Sequence, residues 1–271
     1  MKIATILLNR NLPKVTNSLA KTIKKNNDTD LYVVEAGSDN SKISKYCSWH
    51  AKWSSVKKKG LRFPRGMNYA LSNLYKEKKF TKYDLFFLIT NDTEFVTKKF
   101  DKKIISLFKK HTKLGILSPC APNWGEKKLL KKNSIKYFWY IHNNAVIIRR
   151  DFIEDVCSLK EPGYINFLYD GNNFRGYGTE SEIIAKAYLN NWAAAITRDI
   201  IISENESYLI KRSNLIKTEP YDLNMQLYIK EGLHWMKEKY GFKSKWSMQM
   251  YVKTFYDKFF EINPTLKKYK I

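Results

Sequence analysis

The sequence predicts an α/β protein with a mostly parallel sheet and a helical C-terminal extension. Three observations carry that prediction. Short apolar runs of strand length alternate with amphipathic helical stretches over the first half of the chain. Three of those runs end in polar, turn-forming residues: Asn9-Arg10, Glu35 to Asn40, and Thr90 to Asp92. Beyond Glu206 the pattern shifts to long helical periods.

In chain order, Ile3 to Leu8 is apolar on both faces and reads as a buried strand. Pro13 can open a helix whose Val15, Leu19 and Ile23 recur at i, i+4 and i+8. Leu31 to Val34 is the second strand and runs into Gly37-Ser38-Asp39-Asn40. A basic stretch, Lys57 to Lys59, precedes a helix from about Gly66 with Met67, Ala70, Leu71 and Leu74 on one side. Tyr83 to Ile89 is the next strand. Ile104, Leu107 and Phe108 mark a helix, and Gly115 to Leu117 a short strand. Trp124 to Asn133 reads as a basic loop, Ile141 to Arg150 as a strand, and Asp151 to Cys157 as a short helix. Asn166 to Gly178 is a Gly/Asn-rich loop, and Glu180 to Asn191 suits a helix. In the extension, Asp222 would cap a helix stopping near Gly241, and Ser244 or Ser247 another that stops before Pro264.

Composition narrows the function classes. The 271 residues are 44% hydrophobic and 15% aromatic, ample for a core, so wholesale disorder is excluded. Lys+Arg number 49 against 26 Asp+Glu, a net charge of +23 that favours anionic partners if it is more than a lysine-rich composition. Three cysteines without short spacing exclude a disulfide scaffold and a Cys-based zinc site, and point to a reducing, cytoplasmic setting. The apolar run Ile3 to Leu8 is too short for a signal-peptide core, and no run approaches the ~20 residues of a membrane span. His50, His111, His142 and His234 sit in no nucleophile-elbow or metalloprotease pattern, and no Walker loop or dinucleotide fingerprint is present.

In open α/β sheets ligands bind at the carboxyl ends of strands, so the carboxylates there come first. Asp92 follows a purely apolar strand. It can serve either as an oxygen ligand for Mg²⁺ or Mn²⁺ at a diphosphate or as an Asx-turn that ends the strand. Glu180 and Glu182 open a helix, where acids also favour the macrodipole. Glu180 is either a general base for an acceptor hydroxyl or a helix-start acid, and two glutamates two apart do not share a face. Glu35 can accept from a base's ring N–H or lie solvated at a strand end.

Taken together these segments resemble the family 2 glycosyltransferases. Leu7-Leu8-Asn9-Arg10-Asn11 matches the turn after the first strand. Val33-Val34-Glu35-Ala36-Gly37-Ser38-Asp39 matches the acidic residue followed by Gly-Ser, and Arg65-Gly66-Met67-Asn68 the Arg-Gly-x-Asn stretch. Thr90-Asn91-Asp92 stands at the D-x-D region, with Thr90 in place of the first acid. Asn144 to Arg150 resembles the strand before the acceptor-side helix. Tyr177-Gly178-Thr179-Glu180-Ser181-Glu182 resembles the family's acidic segment, with Lys186 and Trp192 fixing the register. The match covers about residues 1–205, and residues 206–271 form a helical extension outside it.

The resemblance implies a GT-A fold, a Rossmann-type mixed sheet flanked by helices, using a nucleoside-diphosphate sugar donor. It implies that Asn9 contacts the nucleotide, Glu35 recognises the base, and Asp39 lies near the ribose and phosphates. Arg65 and Asn68 support the nucleotide, with Asn91 and Glu182 also on the substrate side. Asp92 would hold Mn²⁺ or Mg²⁺, with Glu204 standing where a metal-assisting histidine is common. Glu180 would be the base of an inverting transfer to a glycan or lipid-linked acceptor. Aromatic residues and lysines alternate from Trp235 to Phe260. They either contact an acidic membrane at its inner face, cover the catalytic domain, or form a homo-oligomer contact. A degenerate, inactive member and a basic nucleic-acid-binding protein are the competing readings. No nucleic-acid motif is present, so nucleic acid is not the expected partner.

Overall fold

The computed structural model describes residues 1–271 apart from Asn123, Lys132 and Asn143 and the side chain of Tyr208. The chain begins with β1 (Ile3–Asn9), α1 (Pro13–Asn26) and β2 (Asp30–Ala36). Then follow β3 (Cys47–Ala51), α2 (Ser54–Lys59) and α3 (Arg62–Lys76). β4 (Leu85–Thr90) turns through Asn91 and Asp92 into β5 (Thr93–Phe95), and α4 (Asp101–Lys110) precedes β6 (Leu114–Cys120). α5 (Gly125–Leu130), β7 (Ile135–Tyr137), β8 (Ala145–Arg149) and α6 (Arg150–Val156) lead to a long loop. α7 (Thr179–Leu189) and β9 (Ala193–Glu204) complete the sheet. α8 (Ser207–Arg212), α9 (Tyr221–Tyr240) and α10 (Lys245–Ile262) form the extension.

The strand order is β3-β2-β1-β4-β8-β6-β9-β5, with β7 also paired to β9. The first four strands are parallel, and β8 runs antiparallel to both β4 and β6. The sheet is therefore mixed: β3-β2-β1-β4 and the pair β6-β9 are parallel, and β5, β7 and β8 run antiparallel to their neighbours. An apolar run such as Ala145–Arg149 shows that a strand is buried on both faces, not which way it points.

Two pairings build the site. β8 enters beside β4 with Ala145 opposite Ile89, which sets Asn144 next to Thr90; the Thr90 N–H donates to the Asn144 carbonyl at 3.2 Å. β9 is long enough to leave the main sheet and pair with β5, placing Glu204 opposite Thr93 and so beside Asp92.

Several local expectations are corrected. Thr16, Ala20 and Ile23 are the buried residues of α1, with Val15 and Leu19 half-buried. α3 begins at Arg62 rather than Gly66, the basic stretch Lys57 to Lys59 is the last turn of α2, and β3 stands where no strand was expected. The segment read as a basic loop holds α5, because Leu130 finds a buried seat. Lys132 within it, and Asn143 within the strand expected over 141–150, lie outside the described residues. Pro220 caps α9 and Asp222 sits in its first turn, where its charge favours the helix dipole. Gly241 closes α9 in the left-handed region and Ser244 caps α10 by accepting from the Ser247 N–H, both as expected.

The extension packs against α7. Val252, Tyr256, Phe259 and Phe260 of α10 bury into the same core as the sheet, each worth about 1.5–3 kcal/mol by apolar burial. Among the described residues no helix is long and apolar enough to cross a membrane. Cys47, Cys120 and Cys157 are all free thiols.

Candidate functional site

The carboxyl ends of β1, β2 and β4 open into a cleft with two adjoining lobes, of about 200 and 390 Å³. The smaller is lined by Asn9, Arg10, Ala36 and Asn91 and covered by Leu209, Ile216 and Thr218 from the extension. The larger is lined by Asn144, Arg175, Glu204 and Glu206, and by Tyr221, Asn224 and Tyr228 of α9. Arg62, Thr90 and Asp92 line both, so Asp92 sits at the junction. A larger depression of about 730 Å³ lies elsewhere, lined by Tyr75, Lys76, Phe80 and Lys160, and touches none of these residues.

The junction is electrostatically unfinished. Asp92 Oδ1 is buried without a hydrogen-bond partner, as are Asn144 Oδ1, Arg10 Nε and Arg62 Nε. Buried polar atoms are rarely left so unless a ligand or water completes them. Burial raises the Asp92 carboxyl above its ordinary value, with Glu206 adding like charge. Glu204 is pushed up to about 7, chiefly by partial burial of its carboxyl group in the cleft and then by Asp92 and Glu206, although the residue as a whole keeps an exposed face. On the cationic side, burial and then the neighbouring Arg175 push Arg62 down to about 10. Burial lowers Arg10 as well.

Beneath the smaller lobe lies a satisfied network. Glu35 is fully buried, and its carboxylate accepts from Asn9 Nδ2 at 2.8 Å, Ser38 Oγ at 2.5 Å and the Ser44 N–H at 2.8 Å. Asn9 Oδ1 in turn accepts from Asn91 Nδ2 at 2.8 Å. Glu35 and Asn9 thus lock the ends of β1, β2 and β4 together. Asn68, also fully buried, clamps the loop before α7 through the Tyr169 carbonyl and N–H at 2.7 and 3.0 Å. Arg65 donates to the Gly171 carbonyl at 2.7 Å and stacks on Phe174, and it lines neither lobe. Asp39 is partly exposed and paired with Lys42 and Lys217.

The α7 acids are held by the extension. Gly178, at φ +83°, turns the chain into α7, and Glu180 and Glu182 follow as buried first-turn residues. Lys245 Nζ reaches Glu180 Oε1 at 2.6 Å while lying over the Tyr177 and Tyr140 rings. Glu182 Oε1 accepts from Lys239 at 2.8 Å and from Tyr240 Oη at 2.6 Å. Thr179, but not Glu180, lines the larger lobe.

No protein-family model and no curated protein matches the chain. Solved structures do. A mannosyltransferase from Pyrobaculum calidifontis, PcManGT, solved with GDP-Man and Mn²⁺, superposes with a TM-score of 0.54 at 9% identity. The match covers 94% of this chain and 73% of that one. The fold is GT-A. Glucosyl-3-phosphoglycerate synthase from Mycobacterium tuberculosis gives 0.49 at 12% identity over 87% of this chain and 78% of that one. TarS from S. aureus gives 0.47 at 15% identity over 89% and 73%. These last two scores are too low to add weight.

On this GT-A frame, Asn9, Asn91, Asp92 and Glu204 of the predicted site residues gather at the cleft. Glu35 and Asn68 lie buried beneath it, Arg65 and Asp39 border it, and Glu180 and Glu182 stand behind its wall. Sequence reasoning missed Arg62, Arg175, Glu206 and the α9 face. One signal was available: Tyr221, Asn224, Met225 and Tyr228 recur at i, i+3, i+4 and i+7, and all four line the cleft. The histidines carry no cleft chemistry; His111, for example, is buried, bonded to Tyr137 and pushed down to about 4 by burial. Among the described residues no three acidic, histidine or cysteine side chains converge as a metal cage.

Proposed function

We propose that this chain is a glycosyltransferase that moves a sugar from a nucleoside-diphosphate sugar to an acceptor hydroxyl. The carrying observation is the orphaned Asp92 Oδ1 at the junction of two lobes, with Arg10 and Arg62 on one side and Glu204 on the other. That is the chemistry a diphosphate and a divalent cation would complete in a GT-A fold. PcManGT, of the same fold, was solved with GDP-Man and Mn²⁺.

The donor set fits a hard cation. Asp92 offers an unpaired buried oxygen, and Glu204, pushed up to about 7 by burial and then by Asp92 and Glu206, would give up its proton on binding a cation. Asp92 and Glu204 would hold Mn²⁺ or Mg²⁺, which when bound would neutralise the leaving diphosphate. Arg10 and Arg62 would stabilise the same charge through preorganised donors already stripped of water. The nucleoside takes the smaller lobe, above the Asn9–Glu35 network that keeps the strand ends in register. In this role Glu35 supports the floor. Tyr221 and Tyr228 give the larger lobe aromatic faces suited to an acceptor sugar.

An inverting transfer needs a proton acceptor opposite the donor, and Glu180 is the residue the family resemblance assigns. Its pairing with Lys245 directs it behind the cleft wall, so it acts only once that contact opens. Exposed Trp246 and Ile262 on α10, amid the lysine excess, support a peripheral contact with an acidic membrane carrying a lipid-linked acceptor.

Calorimetric titration with UDP, GDP, dTDP and CMP, each with and without Mn²⁺, tests the reading. One nucleotide should bind in a metal-dependent way and lose that dependence in Asp92→Ala. Absence of binding by all four would overturn it.

A further inference from the structure

The extension reaches back over the cleft by a strap, residues 206–220, that carries α8 and an irregular stretch. Asn11 Nδ2 donates to the Leu215 carbonyl at 2.9 Å, and Lys217 pairs with Asp39. Leu209, Ile216 and Thr218 then roof the smaller lobe. At its end the strap inserts one carboxylate between two cleft arginines. Glu219 Oε1 accepts from Arg175 Nη2 at 2.8 Å and Oε2 from Arg62 Nη2 at 3.1 Å. Thr218 Oγ1 accepts from the same Arg62 nitrogen at 2.6 Å.

We infer that Arg62 and Arg175 form an anion subsite beside Asp92, that it takes a phosphate or carboxylate group of a substrate, and that Glu219 is its resident occupant. This deepens the transferase reading and rests on it for the identity of the substrate. Four features support the seat. Both arginines line the lobe that contains Asp92. They lie on the same Phe174 ring as Arg65, which clusters three guanidinium groups around one side chain. Arg62 holds a left-handed backbone at φ +56°, unusual for a residue with a side chain, and keeps a buried Nε without a partner. Glu219 spans the two arginines with one oxygen each, the bridging geometry of an anion between forked donors. Arg175 also donates to Glu231 Oε1 at 3.1 Å and to Asn224 Oδ1 at 2.6 Å, contacts made through its other nitrogens, so a diphosphate need displace only the strap's carboxylate, whose charge it exceeds.

The test is calorimetric titration of inorganic pyrophosphate into the full chain in metal-free buffer, comparing wild type with Glu219→Gln. Removing the resident charge should tighten binding at least ~10-fold, and adding Arg62→Gln should abolish that gain. Pyrophosphate should also quicken tryptic cleavage of the wild type at Lys211 and Lys217, because the strap is displaced. Thermal melts confirm that each variant is folded. Unchanged or weaker binding by Glu219→Gln, or a gain that survives Arg62→Gln, overturns the inference. Competition with the bound nucleoside diphosphate assigns the seat to the donor's diphosphate; simultaneous binding assigns it to an anionic acceptor. If no nucleotide binds and the pyrophosphate gain remains, the subsite stands and the transferase reading falls.

Discussion

Replacing Lys245 with methionine removes one partner of an ion pair set into an aromatic cage. Lys245 Nζ and Glu180 Oε1 are 2.6 Å apart, and the side chains are 21% and 6% exposed. Stranding one charge of a buried pair costs about 3–5 kcal/mol, and the partial exposure of Lys245 places this pair at the lower end. The ammonium also lies 4.8 Å from the Tyr177 centroid and 5.4 Å from that of Tyr140, contacts worth roughly 0.5–1 kcal/mol each. Methionine keeps most of the apolar contact. The expected loss is therefore about 3–4 kcal/mol, read as a lower midpoint in urea denaturation at pH 7. Adding Glu180→Gln removes the buried charge that has lost Lys245, so the double variant should regain about 2–3 kcal/mol over Lys245→Met alone. A loss below about 1 kcal/mol, or no recovery in the double variant, would refute the claim that the extension holds Glu180 through Lys245.

Other consequences can be measured on the same protein. Glu204 has its folded-state value raised to about 7, so its contribution to stability is full below about pH 4.5 and is lost as pH rises towards 7. Glu204→Gln should match the wild type near pH 4.5 and exceed it at pH 8 by about 1 kcal/mol, since exposure to solvent screens much of the displacement. Equal stability at both pH values would argue against the burial and crowding that raise Glu204. Mn²⁺ should raise the melting temperature of the wild type at pH 8 and leave Asp92→Asn unmoved; a shared rise would place the ion elsewhere. Glu35→Gln puts an amide NH₂ among three donors and should cost about 2–4 kcal/mol in urea denaturation, whereas a solvated strand-end acid would cost almost nothing. Gly232→Ala would set a Cβ 2.4 Å from the Tyr177 Cβ, where α9 docks on the loop before α7. A loss of about 1–3 kcal/mol is expected, and a neutral result would mean that α9 shifts freely.

What the sequence determined by itself is what local chemistry determines. Ile3 to Leu8 and Leu85 to Ile89 are apolar on both faces, and a strand with both faces buried needs no further information. Pro13, Gly241 and Ser244 marked helix ends because their backbone preferences act within a few residues. Asp92 was legible as a carboxylate at a strand's carboxyl end, where the cleft lies, because a strand and its following turn are adjacent in the chain.

The tertiary structure decided direction and pairing. β8 is as apolar as its neighbours, yet its antiparallel insertion brings Asn144 to Thr90. The register of β9 on β5 brings Glu204 to Asp92 across more than a hundred residues. Glu35 looked like a cleft acid, and only the folded ends of β1 and β2 show its oxygens turned to Asn9, Ser38 and Ser44. Glu180 met Lys245, and Arg62 met Glu219, because the extension folds back over the sheet. A side chain's type states which partner it needs; the path of the backbone determines which one it meets, and that path is set by burying the whole apolar surface at once.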